Sequence, residues 1–251
     1  MSPTPELVAL GGNSAEFPEQ TLPALRSALE LGAAALCIDV QCSADGVPML
    51  WNPAALASGR SAPAELPTIE QTAAMLARIE VADRERFGDR YAGTRVPALG
   101  DIGALLAQYP EPRLYARLGA ATLARRPLDV TVGAICEALG PQARRLVLVV
   151  TELGAIEPLR QLGIGTVGWV LPAWDTHTQI KCEAICPDLL VVDRGRIGHD
   201  GSLWRGPWRW LVTEVGSPGD AVALGRRGAH AIGTRQVRAM LRELRALLRP
   251  S

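Results

Sequence analysis

The segment VALGGNSAEFPEQTLPALRSALELGAAALCIDVQCSADGVPMLWNP, residues 8–53, decides the fold. It begins inside a short apolar run at 7–10, places Leu22, Leu25 and Leu29 at helical spacing, and reaches a second apolar run at 35–40. Runs of this length with consecutive Val, Ile and Leu suit strands buried on both faces, as in parallel sheets covered by helices. Glu19 and Thr21 precede the helix, where a carboxylate favours the positive end of the dipole and Thr caps free amides. Asp45-Gly46, between two apolar runs, reads as a tight turn.

The same pattern continues outward. Further runs lie at 113–118, 146–151, 165–171, 189–193, 210–215 and 230–234, each separated from the next by a helical or loop-length stretch. The last helix is marked by Val237, Met240, Leu241, Leu244, Leu247 and Leu248. Eight β-α units in 251 residues predict an α/β fold, a (β/α)8 TIM barrel spanning residues 1–251 as one domain. A doubly wound sheet would carry a glycine-rich phosphate turn after its first strand, and Gly11-Gly12-Asn13 is too short for one. Residues 53–97 exceed the plain repeat. They hold a helical pattern at 69–79 and end in ADRERFGDRYAGTRVP, so they predict a small inserted subdomain after strand 2 rather than a structureless loop.

Composition narrows the functional classes. Acidic and basic residues balance at 26 each, which offers nothing to nucleic acid or an anionic membrane. No run reaches the roughly 18 apolar residues that would span a bilayer, and MSPTPE has neither the basic nor the apolar region of a secretory signal, so a cytoplasmic location is expected. Cys37, Cys42, Cys136, Cys182 and Cys186 form no CxxC pair and read as buried free thiols. Lys181 is the only lysine among many arginines, a compositional bias rather than a patch.

The strand ending in Gly12, then Pro18-Glu19-Gln20-Thr21, LPALRSALELGA, IDVQCSADGVPMLWNP, LPTIEQ and RFGDRYAGTRVPALGDIGALL together resemble the glycerophosphodiester phosphodiesterase family. The resemblance is concentrated in residues 8–106; beyond them only GSPGDAVALGRRGAHAIGTR echoes the family's seventh helix and eighth strand. It implies a barrel that cleaves glycerophosphodiesters with two catalytic histidines, a phosphate-holding arginine and a divalent cation, Mg²⁺ or Ca²⁺.

Most of that machinery is replaced. Where the family opens with Ala-His-Arg-Gly, this chain has Ala9-Leu10-Gly11-Gly12; its metal-binding Glu-x-Asp is Cys37-Ile38-Asp39, and its His-Asp-Pro is Trp51-Asn52-Pro53. The third-strand Glu falls on Ala116 or Arg117, depending on register, and the eighth-strand Thr-Asp is Thr234-Arg235. Glu19 and Asp39 survive and are the remaining candidates for an ion, but two carboxylates are few for a hard cation, so no cofactor is expected. Trp51 is expected to fill the space of the second histidine and narrow the mouth.

Histidines and a cysteine elsewhere in the chain are candidate replacements. His177 and His199 follow strands and belong on the catalytic rim, while His230 starts the eighth strand and belongs near the opposite end. Cys37 would need a base or positive field to become a nucleophile, and otherwise reads as a structural thiol. Trp204, Trp208 and Trp210, interleaved with Arg205 and Arg209, could stack on nucleic acid but without net positive charge read as a lid or an oligomer contact. The expectation is therefore a catalytically inactive relative that binds, through a remnant pocket of Glu19, Asp39, Cys37, Trp51 and His177, a protein partner, a second copy or a small phospho-ligand. The alternative is a working phosphoric diester hydrolase rebuilt around Asp39, Glu19 and His177.

Overall fold

A computed structural model describes residues 5–51, 69–198 and 202–247. Asn52 and His199, singled out above, lie outside them. Eight parallel strands close into a barrel: β1 (Glu6–Leu10), β2 (Ala35–Cys42), β4 (Arg113–Leu118), β5 (Leu146–Val150), β6 (Val167–Val170), β7 (Leu189–Asp193), β8 (Arg209–Thr213) and β9 (Ala231–Thr234). Closure comes from β1, which pairs with β2 on one side and β9 on the other. These are the eight runs read from the sequence. A short strand β3 (Pro48–Leu50) pairs antiparallel with the end of β2 across the Asp45-Gly46 turn, where Gly46 has φ 89° and Ser43 and Val47 exchange the closing bonds.

Strand alternation sorts the core into two layers. Val8, Leu10, Cys37, Tyr115, Val149, Val191 and Leu211 fill the barrel's interior. Their neighbours, among them Ala9, Leu36, Ile38, Leu148 and Ile232, face the surrounding helices. Helix α1 (Leu22–Leu31) is set as expected: Thr21 accepts from the Ala24 amide, and Gly32 at φ 93° ends it by returning its own amide to Ala28 and Leu29.

The insertion departs from expectation. The pattern at 69–79 yields only α2 (Ala73–Leu76), one turn, followed by α3 (Arg84–Phe87) before the return helix α4 (Leu99–Leu106). Thr72 in extended conformation caps α2 and stops it from starting earlier. Beyond Leu76 the chain is taken up by pairing with a distant segment: the Ile79 carbonyl accepts from Val96, and Glu80 bridges Arg95. Met49, Trp51, Leu76, Ile79 and Val96 form the insertion's own small core.

After β4 come α5 (Ala120–Arg125) and α6 (Leu128–Leu139), after β5 α7 (Ile156–Gln161), after β6 α8 (Thr176–Ile185), after β8 α9 (Pro218–Arg226) and after β9 α10 (Val237–Leu247). Following β7, the described residues contain one 3₁₀ turn, Arg194–Arg196, and no α-helix. Leu203, Trp208 and Trp210 fill the outer layer there, with the last two only 4% and 3% exposed. Trp204 stacks on Trp174 at 4.2 Å between ring centroids, and its carbonyl accepts from both the Trp208 and Trp210 indoles. Trp208 and Trp210 are thus part of the packed outer layer, with Trp204 partly buried against it.

Candidate functional site

Active sites of such barrels lie at the C-terminal ends of the strands, where β1, β2, β4 and β9 bring the surviving carboxylates together. Asp39 lies beside Arg117 in the β2–β4 register, so Arg117 rather than Ala116 takes the third-strand position of interest. Its guanidinium grips Asp39 at two points, Nε to Oδ1 at 2.7 Å and Nη2 to Oδ2 at 2.8 Å. The side chains are 31% and 12% exposed, a largely desolvated fork-to-carboxylate pair. Gln20, whose φ is 61°, completes the grip: its Nε2 donates to Asp39 Oδ2 at 2.8 Å and its Oε1 accepts from the Asp39 amide.

Glu19 is held by a second arginine. Arg235, just beyond β9, donates Nη1 to Glu19 and places Nε 3.1 Å from both carboxylate oxygens of Glu214. Burial pushes the Glu19 carboxyl upward, and the adjacent guanidinium opposes that. Besides its place before helix α1, Glu19 thus has a partner 216 positions away.

The positions of the expected reactive groups are occupied by packing. Leu10 is buried in the barrel interior and lies against Gly233, where an added Cβ would come within 2.8 Å of its Cδ2. Gly11 adopts φ 63°, and a Cβ there would meet Glu19 Cγ at 2.4 Å. The first loop is therefore shaped around glycine at the place of the family's arginine. Cys37 is 2% exposed; burial pushes its thiol up to about 11, so it stays protonated at neutral pH. Trp51 buries its indole with Met49, Leu76, Ile79 and Val96, and its Nε1 has no hydrogen-bond partner among the described residues. It thus packs the insertion's core.

Among the described residues, neither His177 nor His230 is joined to this cluster. His177 sits on the rim as expected, exposed in the first turn of α8, and among the described residues no hydrogen bond or ion pair ties it to Glu19 or Asp39. Asp175 beside it is occupied as the helix cap, accepting from Thr178 at 2.7 Å. His230 lies at the opposite end, where its Nδ1 accepts from the Trp210 amide.

The loop after β1 is braced from both sides. From the insertion, Arg86 donates to the Ser14 carbonyl at 2.8 Å and the Tyr91 hydroxyl to that of Glu16. From α10, Arg238 forks onto the Glu16 carboxylate, whose pKa that bond lowers. A cavity of about 440 Å³ opens between them, lined by Asn13, Ser14, Glu16, Arg86, Arg235 and Arg238. Gln20 and Glu214 were not foreseen; the sequence offers no signal for a positive-φ glutamine or for a carboxylate that reaches its arginine across 21 positions.

Residues 12–56 match the family model of the glycerophosphoryl diester phosphodiesterase family. Among curated proteins none matches. Solved structures match over nearly the whole chain. A phosphodiesterase from Oleispira antarctica, in complex with the product sn-glycerol-3-phosphate, superposes with a TM-score of 0.78 at 20% identity, covering 96% of this chain and 97% of its own. A glycerophosphodiester phosphodiesterase from Parabacteroides distasonis gives 0.77 at 14% identity, with 99% and 100% covered. One from Agrobacterium tumefaciens gives 0.72 at 16%, with 95% and 99% covered. Residues 12–56 thus carry the sequence signature of that family, and the chain as a whole shares the barrel fold of these solved structures.

Proposed function

We propose that this protein no longer cleaves phosphodiesters and acts by binding. The observation that carries the reading is the two-point pair of Arg117 with Asp39. Diester cleavage needs a base, an acid and positive charge on the non-bridging oxygens. Each proton-transfer group contributes roughly 10²- to 10⁴-fold, so losing both removes most of the rate. Here Leu10 is hydrocarbon, Trp51 is committed to the insertion's core and Cys37 is protonated.

The residues present do not fit Mg²⁺ or Ca²⁺. Such hard cations take about six or more oxygen ligands, at least several of them from protein. Among the described residues no three His, Cys, Asp or Glu side chains gather to hold one. Glu19 and Asp39, the candidates that remained, each face a guanidinium instead.

Charge also bears on what is bound. Arg117 is matched by Asp39, and Arg235 is shared between Glu19 and Glu214, so the mouth has no excess positive charge for a small phospho-ligand. That balance favours a protein partner, another chain or a second copy, although the buried Trp run no longer contributes to it. No span among the described helices is long and apolar enough to cross a membrane, so a transmembrane helix is not part of the proposal.

The test is direct. Purified protein given glycerophosphodiesters with a panel of divalent ions is expected to release no glycerol phosphate above the ion-only control. Metal-dependent release would overturn the reading and favour a hydrolase rebuilt around Asp39, Glu19 and His177. For the binding half, light scattering and capture from its native extract are expected to find a complex. A lone monomer in both would count against a partner.

A further inference from the structure

We infer that Arg117 is a tethered cation: its guanidinium permanently supplies the positive charge that the mouth's carboxylates require, and so makes this end of the barrel independent of divalent ions. The inference rests on reading the mouth as the former reaction site. It concerns ion dependence rather than turnover, so the two can fail separately.

Asp39 is nearly desolvated, and a carboxylate in that setting is tolerated only with a charged or strongly hydrogen-bonding partner. Besides Gln20, that partner is Arg117, which reaches Asp39 directly across the β2–β4 pairing and cannot be deprotonated at any physiological pH. Both oxygens of Asp39 lie against the guanidinium, Oδ2 accepting from Nη2 at 2.8 Å and Oδ1 lying 2.7 Å from Nε, so an incoming ion would have to displace the guanidinium to claim either. Glu19 lies close enough to feel Asp39 electrostatically and is held separately by Arg235. Removing Arg117 therefore takes the facing guanidinium from a buried Asp39 that has a second carboxylate nearby. That leaves a local excess of negative charge, which a divalent cation with the rest of its ligands from water would offset.

The experiment compares thermal unfolding of the full chain, Arg117→Ala and Arg117→Lys at pH 8, in chelator and with Ca²⁺ or Mn²⁺ raised to about 10 mM. Folding of each variant is checked by circular dichroism. The parent chain and Arg117→Lys, which keeps a cation beside Asp39, are expected to show the same Tm at every ion concentration. Arg117→Ala is expected to gain about 3 °C for each tenfold rise in ion above its dissociation constant, and the gain is expected to vanish on adding Asp39→Asn. Should Arg117→Ala be unfolded in chelator, folding on addition of ion is the supporting result. Ion-dependent stabilisation of the parent chain, or indifference of Arg117→Ala to ions whether folded or not, would overturn the inference. Turnover measured on the same samples tests the proposed loss of activity independently.

Discussion

The two ends of this barrel are built alike, although only one end of such folds ordinarily carries chemistry. At the N-terminal end Glu6 pairs with Arg113 at 2.8 Å and lies 3.5 Å from Arg209, tying β1, β4 and β8. At the C-terminal end Arg117 ties β4 to β2 through Asp39, and Arg235 ties the exit of β9 to Glu19 and Glu214. Between them lies a dry layer of Val8, Leu10, Cys37, Tyr115, Val149 and Leu211. The difference is one of burial. Glu6 is about one-third exposed and in contact with water, whereas Asp39 is almost wholly removed from it. A structural plug at the solvated end costs little. The same arrangement at the desolvated end leaves Asp39 and Glu19 each facing a guanidinium.

The largest expected effect separates the ends most sharply. Arg117→Ala strands the Asp39 carboxylate and should destabilise the chain by about 3 kcal/mol in chelator, the lower end of the cost of breaking a buried pair. Urea unfolding followed by circular dichroism measures it. A loss below about 1 kcal/mol would mean that the upper pair behaves like a surface one, and the contrast between the ends would collapse.

The dry layer should show itself at alkaline pH. The Cys37 thiol, ordinarily near 9, is pushed up to about 11 by burial. Its folded-state pKa thus exceeds the unfolded one. The unfolded chain releases the proton first, and the resulting loss of stability begins near pH 9 and is complete near pH 11. That loss is about 3 kcal/mol at an order-of-magnitude level, and Cys37→Ala should remove it, leaving the contribution of Cys182, whose thiol burial pushes up to about 12. The check is unfolding free energy against pH for both chains. Iodoacetamide at pH 8 should meanwhile modify exposed Cys186 and spare Cys37.

A smaller effect is expected where the first loop meets the plug. Gly11→Arg, which restores a phosphate-holding residue type in name, must adopt φ 63° and displace Glu19. We expect it to cost about 1–2 kcal/mol, from the left-handed backbone alone, and to gain no affinity for glycerol phosphate by calorimetry. Gain of affinity would show that the loop can revert and that the upper plug is shallower than it looks.

What the sequence disclosed follows from which interactions are local. The eight strands were legible because parallel strands buried on both faces are written as unbroken apolar runs, and Thr21 and Asp45-Gly46 because caps and turns act within a few residues. The pattern at 69–79 misled because pairing of Ile79 and Glu80 with Arg95 and Val96 ends α2 from a distance. Trp208 and Trp210 looked like a surface run because nothing local says that they are buried in the barrel's outer layer. The central pair was the hardest. Whether Ala116 or Arg117 faces the mouth turns on a one-residue shift in register, which in a strand moves every side chain to the other face.

The smallest prediction concerns the end that served as reference. Glu6→Gln removes the carboxylate shared by Arg113 and Arg209 but leaves both guanidiniums with access to water, at 36% and 42% exposure. The change should cost less than about 1 kcal/mol, as exposed pairs do, and should shrink further in high salt. Arg117→Ala should keep its larger cost under the same salt, because the field between Arg117 and Asp39 runs mostly through protein. Urea unfolding of both variants at low and high ionic strength measures the difference. If the two losses respond to salt alike, burial is not what distinguishes the ends, and the upper pair is a surface bridge that happens to sit over a barrel.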